Sequence, residues 1–379
     1  MLGILRRFSK YANIQELGKL PSEVNKHLKA LGDLTLYKSM RGDKAVLSLD
    51  LLFKASKKKV NLLQVNWLKY PEIQVMLSEL PSKLTNYTLR NIIDIMKTCS
   101  KLNIHDSNLW LSIENAITSN LYELEERQLY DLISCFSKRK NTNISFWQEL
   151  ESIITTKFCP KHNIQAHVVC MILTTYSKLN ILSDQFLTIL EQQVIRVHLN
   201  FDSIEVSKVL NVFVQRDVGS EGLYDKLCKQ VKLMVYSMDW YSTVISLVSF
   251  VRIGRGDHVD EIEKCAILWL DRMDAQQFSS IFVAYGRNLP VAIRKETERR
   301  KFLCELAEFL QKKGNKWEGD ERSAIGVMWG LAVGKIFQFE ELWKRLAGCV
   351  KGKREFRDLK EYEKIESILK ENEKLHLLD

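Results

Sequence analysis

The sequence predicts an all-α fold, an α-solenoid of stacked antiparallel helix pairs, and three observations carry that reading. A residue triplet recurs about every 37 residues, the apolar positions around it keep helical spacing, and alternating strand patterns are missing. The triplet is an aromatic or sulfur-bearing residue, then a small residue or valine, then usually a base. It is written out at Cys99-Ser100-Lys101, Phe136-Ser137-Lys138, Tyr176-Ser177-Lys178, Phe213-Val214-Gln215 and Phe250-Val251-Arg252. Successive first residues, the anchors, lie 37, 40, 37 and 37 apart, and looser echoes occur at Tyr285-Gly286-Arg287 and Val333-Gly334-Lys335.

Each element can be derived from the residues around the anchor. Seven positions before it stand Ile92, Leu129, Val169 and Val206, and three before it Met96, Ile133, Leu173, Leu210, Leu247 and Phe282, so a first helix ends at each anchor. Ten, fourteen and eighteen positions after it come Leu109, Ile113 and Ile117, then Phe146, Leu150 and Ile154, then Phe186, Leu190 and Val194, then Leu223, Leu227 and Val231. Steps of four describe one buried stripe on a second helix. Short polar runs such as His105-Asp106-Ser107-Asn108 join the two helices, and Ser145 with Gln148 has the spacing of a capping box. A hairpin of this kind cannot bury its apolar face alone, so the units stack around one elongated core.

The predicted organisation is a basic arm over residues 1–30, a divergent helical capping region over 31–83, hairpin repeats over 84–350 and an amphipathic helix over 351–379. One continuous array is expected, with at least six helix pairs. No apolar run is long enough to span a bilayer. The first fifteen residues hold Arg6, Arg7 and Lys10 and no acid, with Leu2, Ile4, Leu5, Phe8 and Tyr11 available for one helix face. Such a start resembles a mitochondrial transit peptide and predicts the mitochondrial matrix; the alternative is a basic arm on a cytosolic protein. Eight cysteines without a CxxC pair suit a reducing compartment.

The net charge of +9 says little about the repeats, because residues 1–60 carry thirteen bases and five acids and leave 43 bases against 42 acids for the rest. Binding must be argued from position. Two residues after each anchor stand Lys101, Lys138, Lys178, Gln215, Arg252, Arg287 and Lys335. Equivalent positions on stacked helices are separated by roughly 8–10 Å, so these bases form a row able to track an RNA backbone. A base at a helix C-terminus also complements the macrodipole and needs no ligand. Both readings of the row are open on sequence grounds.

Units of 37 to 38 residues whose first helix ends in patterns like Thr175-Tyr176-Ser177-Lys178-Leu179 resemble the heptatricopeptide and octatricopeptide repeats of organellar RNA-binding proteins, including FAST-kinase-like proteins. The resemblance covers about residues 84 to 290. It implies a helical-hairpin solenoid acting in RNA processing, stability or translation, free or as part of a mitochondrial ribosome. The implied partners are single-stranded or ribosomal RNA and the proteins of a mitochondrial ribonucleoprotein complex. Many such proteins end in a small nuclease-like domain, and residues 351–379 show nothing like it, so the expectation is a protein without catalytic activity or cofactor. A scaffold that binds only proteins within a large mitochondrial complex is the alternative.

Other motifs carry less. No phosphate-loop, dinucleotide, HExxH or GxSxG pattern is present, and Gly254-Arg255-Gly256-Asp257 reads as a turn. Cys159, His162, His167 and Cys170 have residue types that suit zinc, although buried thiols and exposed loop histidines account for them equally. Trp110, Trp147, Trp240 and Trp269 are either core residues or bases' stacking partners.

Overall fold

A computed structural model describes residues 78–101, 104, 106–139, 143–161, 164–254, 259–288, 296–313, 319–350 and 360–378. Residues 1–30 and nearly all of the capping region, and with them the predicted arm and the helical pattern before residue 78, lie outside the described residues. Every regular element among the described residues is helical. No helix there is long and apolar enough to cross a membrane. The chain forms two compact units, Met1–Ile164 with Lys178–Ile181, and Gln165–Ser177 with Leu182–Asp379.

In the first unit, α1 (Leu89–Lys101) and α2 (Ser107–Thr118) form one hairpin, and α3 (Glu126–Phe136) and α4 (Ile144–Ile153) the next. Helix α1 packs on both α2 and α3. The predicted stripes are the core: Ile92, Met96, Cys99, Leu109, Ile113, Ile117, Leu129, Ile133 and Phe136 are fully buried. Burial of each large apolar side chain stabilises by about 1.5–3 kcal/mol. Phe136 meets Phe146 with ring centroids 4.7 Å apart and takes the edge of Trp110 at 5.8 Å. Lys97 Nζ donates to Asp131 at 2.6 Å, tying α1 to α3.

The caps explain where the helices begin and correct one expectation. Asp106 caps α2 by accepting from the Leu109 N–H. Helix α4 starts at Ile144 with Asn143 as its cap, accepting from the Ser145 N–H at 3.1 Å, so Ser145 and Gln148 do not form the predicted capping box. Asparagine is as good a cap as serine, and it stands two residues earlier. Reciprocal boxes of that kind do occur at first helices, where the Gln128 side chain accepts from the Glu125 N–H and Glu205 from the Asp202 N–H.

The second unit comprises α5 (Ala166–Lys178), α6 (Asp184–Val197), α7 (Ser203–Arg216), α8 (Glu221–Met234), α9 (Trp240–Ile253), α10 (Val259–Leu268), α11 (Ala275–Asn288), α12 (Glu296–Lys312), α13 (Glu321–Val333) and α14 (Glu340–Val350). Helices α7, α9, α11 and α13 pack in succession, and α7, α9 and α13 each pack on the helix that completes their own hairpin. Stacking of helix pairs in this manner is the α-solenoid arrangement. Small residues bring α7 and α9 together, with the Ser207 and Ser246 hydroxyls 2.9 Å apart in the core. The predicted terminal helix is present as α15 (Lys360–Glu371), packed on α13 with Tyr362, Ile365 and Leu369 buried; its expected start, residues 351–359, lies outside the described residues.

Candidate nucleic-acid interface

The cap positions set a register that places every cation at the first-helix ends. Glu125, Asp202 and Asp239 flank the starts of α3, α7 and α9, and each stands eleven residues before a buried anchor, Phe136, Phe213 or Phe250. Seven residues after the anchor comes the cap of the second helix, at Asp106, Asn143, Ser183 and Ser220. The longer step from Phe136 to Tyr176 arises past that second cap, where α4 runs into a π-helical turn, Ile154–Phe158, before the chain reaches α5. At about 100° per residue, a side chain two positions past a buried anchor is turned roughly 200° away from the core. That rotation exposes Lys101, Lys138, Lys178, Arg252 and Arg287.

In the second unit this geometry brings like charges together. Burial lowers the Arg252 guanidinium below the ordinary arginine range, and the nearby positive charge of Arg287 lowers it further. Arginine stays cationic under such shifts. Helices α9 and α11 therefore present two guanidiniums at equivalent positions. Arg287 also reaches the Glu361 carboxylate at 3.8 Å, with both side chains well exposed. Gln215 holds the same place on α7 as an exposed neutral residue.

Bases one position further on hold the fold together instead. Arg139 lies over the Trp110 ring with its guanidinium carbon 4.5 Å from the centroid. Arg216 donates to the Leu182 carbonyl and approaches Asp184 at 4.0 Å. Position, not residue type, separates a cation spent inside the fold from one facing solvent.

The same register moves Lys335 out of the row. Asp320 caps α13, and eleven residues later stands Leu331, not Val333; Leu331 is fully buried, as are Met328 and Ala324, three and seven positions before it. The residue two past this anchor is Val333. Lys335 stands four past it, at the left-handed position that ends the first helices, with φ 51°, matching Asn180 (φ 55°), Asp217 (φ 52°) and Gly254 (φ 76°). The turn predicted at Gly254 begins with that glycine, and residues 255–257 lie outside the described residues. The local echo of apolar, glycine and base at Val333-Gly334-Lys335 gave a misleading match.

The remaining candidates sit apart from the row. Cys159 and Cys170 are buried, and His167 is exposed on α5. His162 lies outside the described residues. The Cys170 thiol approaches the Glu205 carbonyl at 3.8 Å, and burial pushes its pKa up to about 12. Among the described residues no group of three or more His, Cys, Asp or Glu side chains is gathered as metal ligands. Trp110 and Trp147 are buried in the core, Trp110 donating from Nε1 to the Ile104 carbonyl at 2.7 Å, so neither stacks a base; Trp240 and Trp269 are half-buried. Arg300 on α12 donates to the Lys335 carbonyl at 3.0 Å.

Sequence reasoning missed two features. Tyr122, Leu199 and Tyr236 are exposed at the centre of the 3₁₀ corners Leu121–Glu123, His198–Asn200 and Val235–Ser237, which close the second helices. Leu233 and Leu268, six residues before the next first-helix cap, are each 78% exposed. The corners were visible as recurring apolar residues, but only coordinates show which of them face out. The second feature is a cavity beside α11, to which three separate helices contribute.

Fold and site together define a helical-hairpin repeat protein in which five first helices end in solvent-facing cations. The sequence matches the family described as RNA-editing substrate-binding complex 6 protein over residues 77–289, more than half of the chain, and the chain belongs to that RNA-associated family of helical proteins. No curated protein matches it.

Proposed function

We propose that the chain is a non-catalytic, RNA-binding helical-repeat protein of the mitochondrial matrix, of heptatricopeptide type, acting with protein partners in an RNA-editing substrate-binding complex. The family's name directs this reading to an editing substrate rather than to ribosomal RNA. The observation that carries it is the placement of the exposed Arg252 and Arg287 at equivalent positions, two past the buried anchors of the neighbouring helices α9 and α11, where one polyanion can meet both. Macrodipole compensation does not require the two cations to be neighbours. Lys101, Lys138 and Lys178 occupy the same position at the ends of α1, α3 and α5.

Affinity for labelled single-stranded RNA, measured by anisotropy over a salt titration, tests the reading. Each phosphate contact adds about −0.7 to the log–log slope, so the three lysines Lys101, Lys138 and Lys178 alone give about −2. A slope near zero, or no binding, defeats it. The matrix assignment is supported by the acid-free start and is tested by fusing residues 1–29 to a reporter; a diffuse cytosolic signal removes it.

A second reading, a scaffold that binds only proteins, is favoured by the exposed Leu199, Leu233, Tyr236 and Leu268 in consecutive hairpins. Folded protein that captures partners yet binds no RNA would establish it.

A further inference from the structure

The row of cations in the second unit ends at a built cavity. Helix α13 crosses α11 through glycines: a Cβ at Gly326 would lie 2.0 Å from the Ser279 hydroxyl, one at Gly330 2.6 Å from Phe282, and one at Gly286 2.8 Å from Trp329 Nε1. Where a further first helix would stack on α13, the chain places α15. A cavity of about 310 Å³ remains between these helices, walled by Val283, Ile325 and Trp329 and edged by Arg287, Arg322 and Glu361. That volume is at the small end of ligand pockets, about 300–1,000 Å³, and suits a compact flat molecule rather than a helix.

Its chemistry is mixed in a specific way. Trp329 supplies an indole wall whose Nε1 is buried without a hydrogen-bond partner among the described residues, and Lys364 Nζ lies 5.7 Å from the ring centroid. Glu361, half-exposed, is an acceptor held beside Arg287. Apolar walls, an aromatic plane, guanidiniums for a phosphate and one carboxylate for an amino donor are the elements that recognise an unstacked nucleotide. We propose that this cavity reads a single nucleotide of the bound RNA, with the base against Trp329, the phosphate at Arg287 and Arg322, and Glu361 accepting from the base edge. The inference rests on the RNA-binding reading above and adds base selection to it. A carboxylate acceptor selects the exocyclic amine of cytosine, which uracil lacks.

Full-length protein is titrated with oligo-C and oligo-U of equal length. Oligo-C is expected to bind about tenfold tighter, a ratio that falls to near one in Glu361→Gln, while Arg322→Gln weakens both RNAs alike because phosphate contacts do not read bases. Both side chains are exposed, so neither change threatens folding. An oligonucleotide carrying 5-iodocytidine is expected to crosslink on irradiation to Trp329, located by mass spectrometry. Equal affinity for the two RNAs in the wild type, or a ratio untouched by Glu361→Gln with crosslinks elsewhere, overturns the pocket and leaves the cation row standing if the salt slope persists. Absence of any RNA binding removes both.

Discussion

The two ends of the repeat unit each pack a buried apolar residue into the core yet present opposite chemistry. At the first-helix end, the chain leaves its buried anchor and turns a cation outward, as at Lys138 after Phe136 and Arg252 after Phe250. At the second-helix end it closes a 3₁₀ corner whose first residue is buried and whose centre is exposed, Leu121 then Tyr122, Val235 then Tyr236. One end suits a polyanion and the other an apolar partner. A repeat that alternates in this manner keeps its charged and its apolar surface on different residues.

The comparison collapses most completely if the register is lost. Phe136→Ala is expected to lower stability by about 3–5 kcal/mol, because the ring contacts both Trp110 and Phe146. Chemical denaturation measures it, and a loss under about 1 kcal/mol would show that the anchors do not fix the register.

A smaller change separates the two ends directly. Converting Lys101, Lys138 and Lys178 together to glutamine is expected to flatten the RNA salt slope by about 2, from about 0.7 per phosphate, and to weaken diverse sequences alike. Tyr122→Ser with Tyr236→Ser is expected to leave that slope alone and to reduce co-purifying protein. If the lysine variant melts slightly earlier but binds RNA as before, the cations serve the helix macrodipoles and the first-helix end has no RNA role.

How much of this was legible in the sequence depends on how local each signal is. The helix pairs, the core stripes and the exposed base two past most anchors are properties of a periodic chain and could be read from Ile92, Met96, Cys99 and Lys101 repeated down the sequence. The span on which that reading rested, residues 84 to 290, nearly coincides with the family match at 77–289. Beyond it the pattern weakens, and there the triplet at Val333 misled, because an apolar residue, a glycine and a lysine in succession also describe a helix end shifted by two. What exposed the error was the distance from Asp320 to Leu331 and a backbone angle, neither written in the triplet. The cavity was illegible for another reason: Arg287, Trp329 and Glu361 come from three helices, and only the glycine crossing brings them together.

The smallest expected effect is the sharpest test of that shift. Lys335 adopts a left-handed conformation, which costs a residue with a Cβ about 1–2 kcal/mol and costs glycine or asparagine less; the equivalent positions hold Asn180, Asp217 and Gly254. Lys335→Asn removes one charge while relieving that strain. If Lys335 ends the helix and does nothing else, the variant gains up to about 1 kcal/mol in thermal or chemical unfolding, and the RNA salt slope stays where it was. Were Lys335 instead part of the row, the slope would flatten by about 0.7 with no gain in stability, and the register argued from Asp320 and Leu331 would be wrong. The two outcomes differ in stability as well as in binding, so one purified variant decides between them.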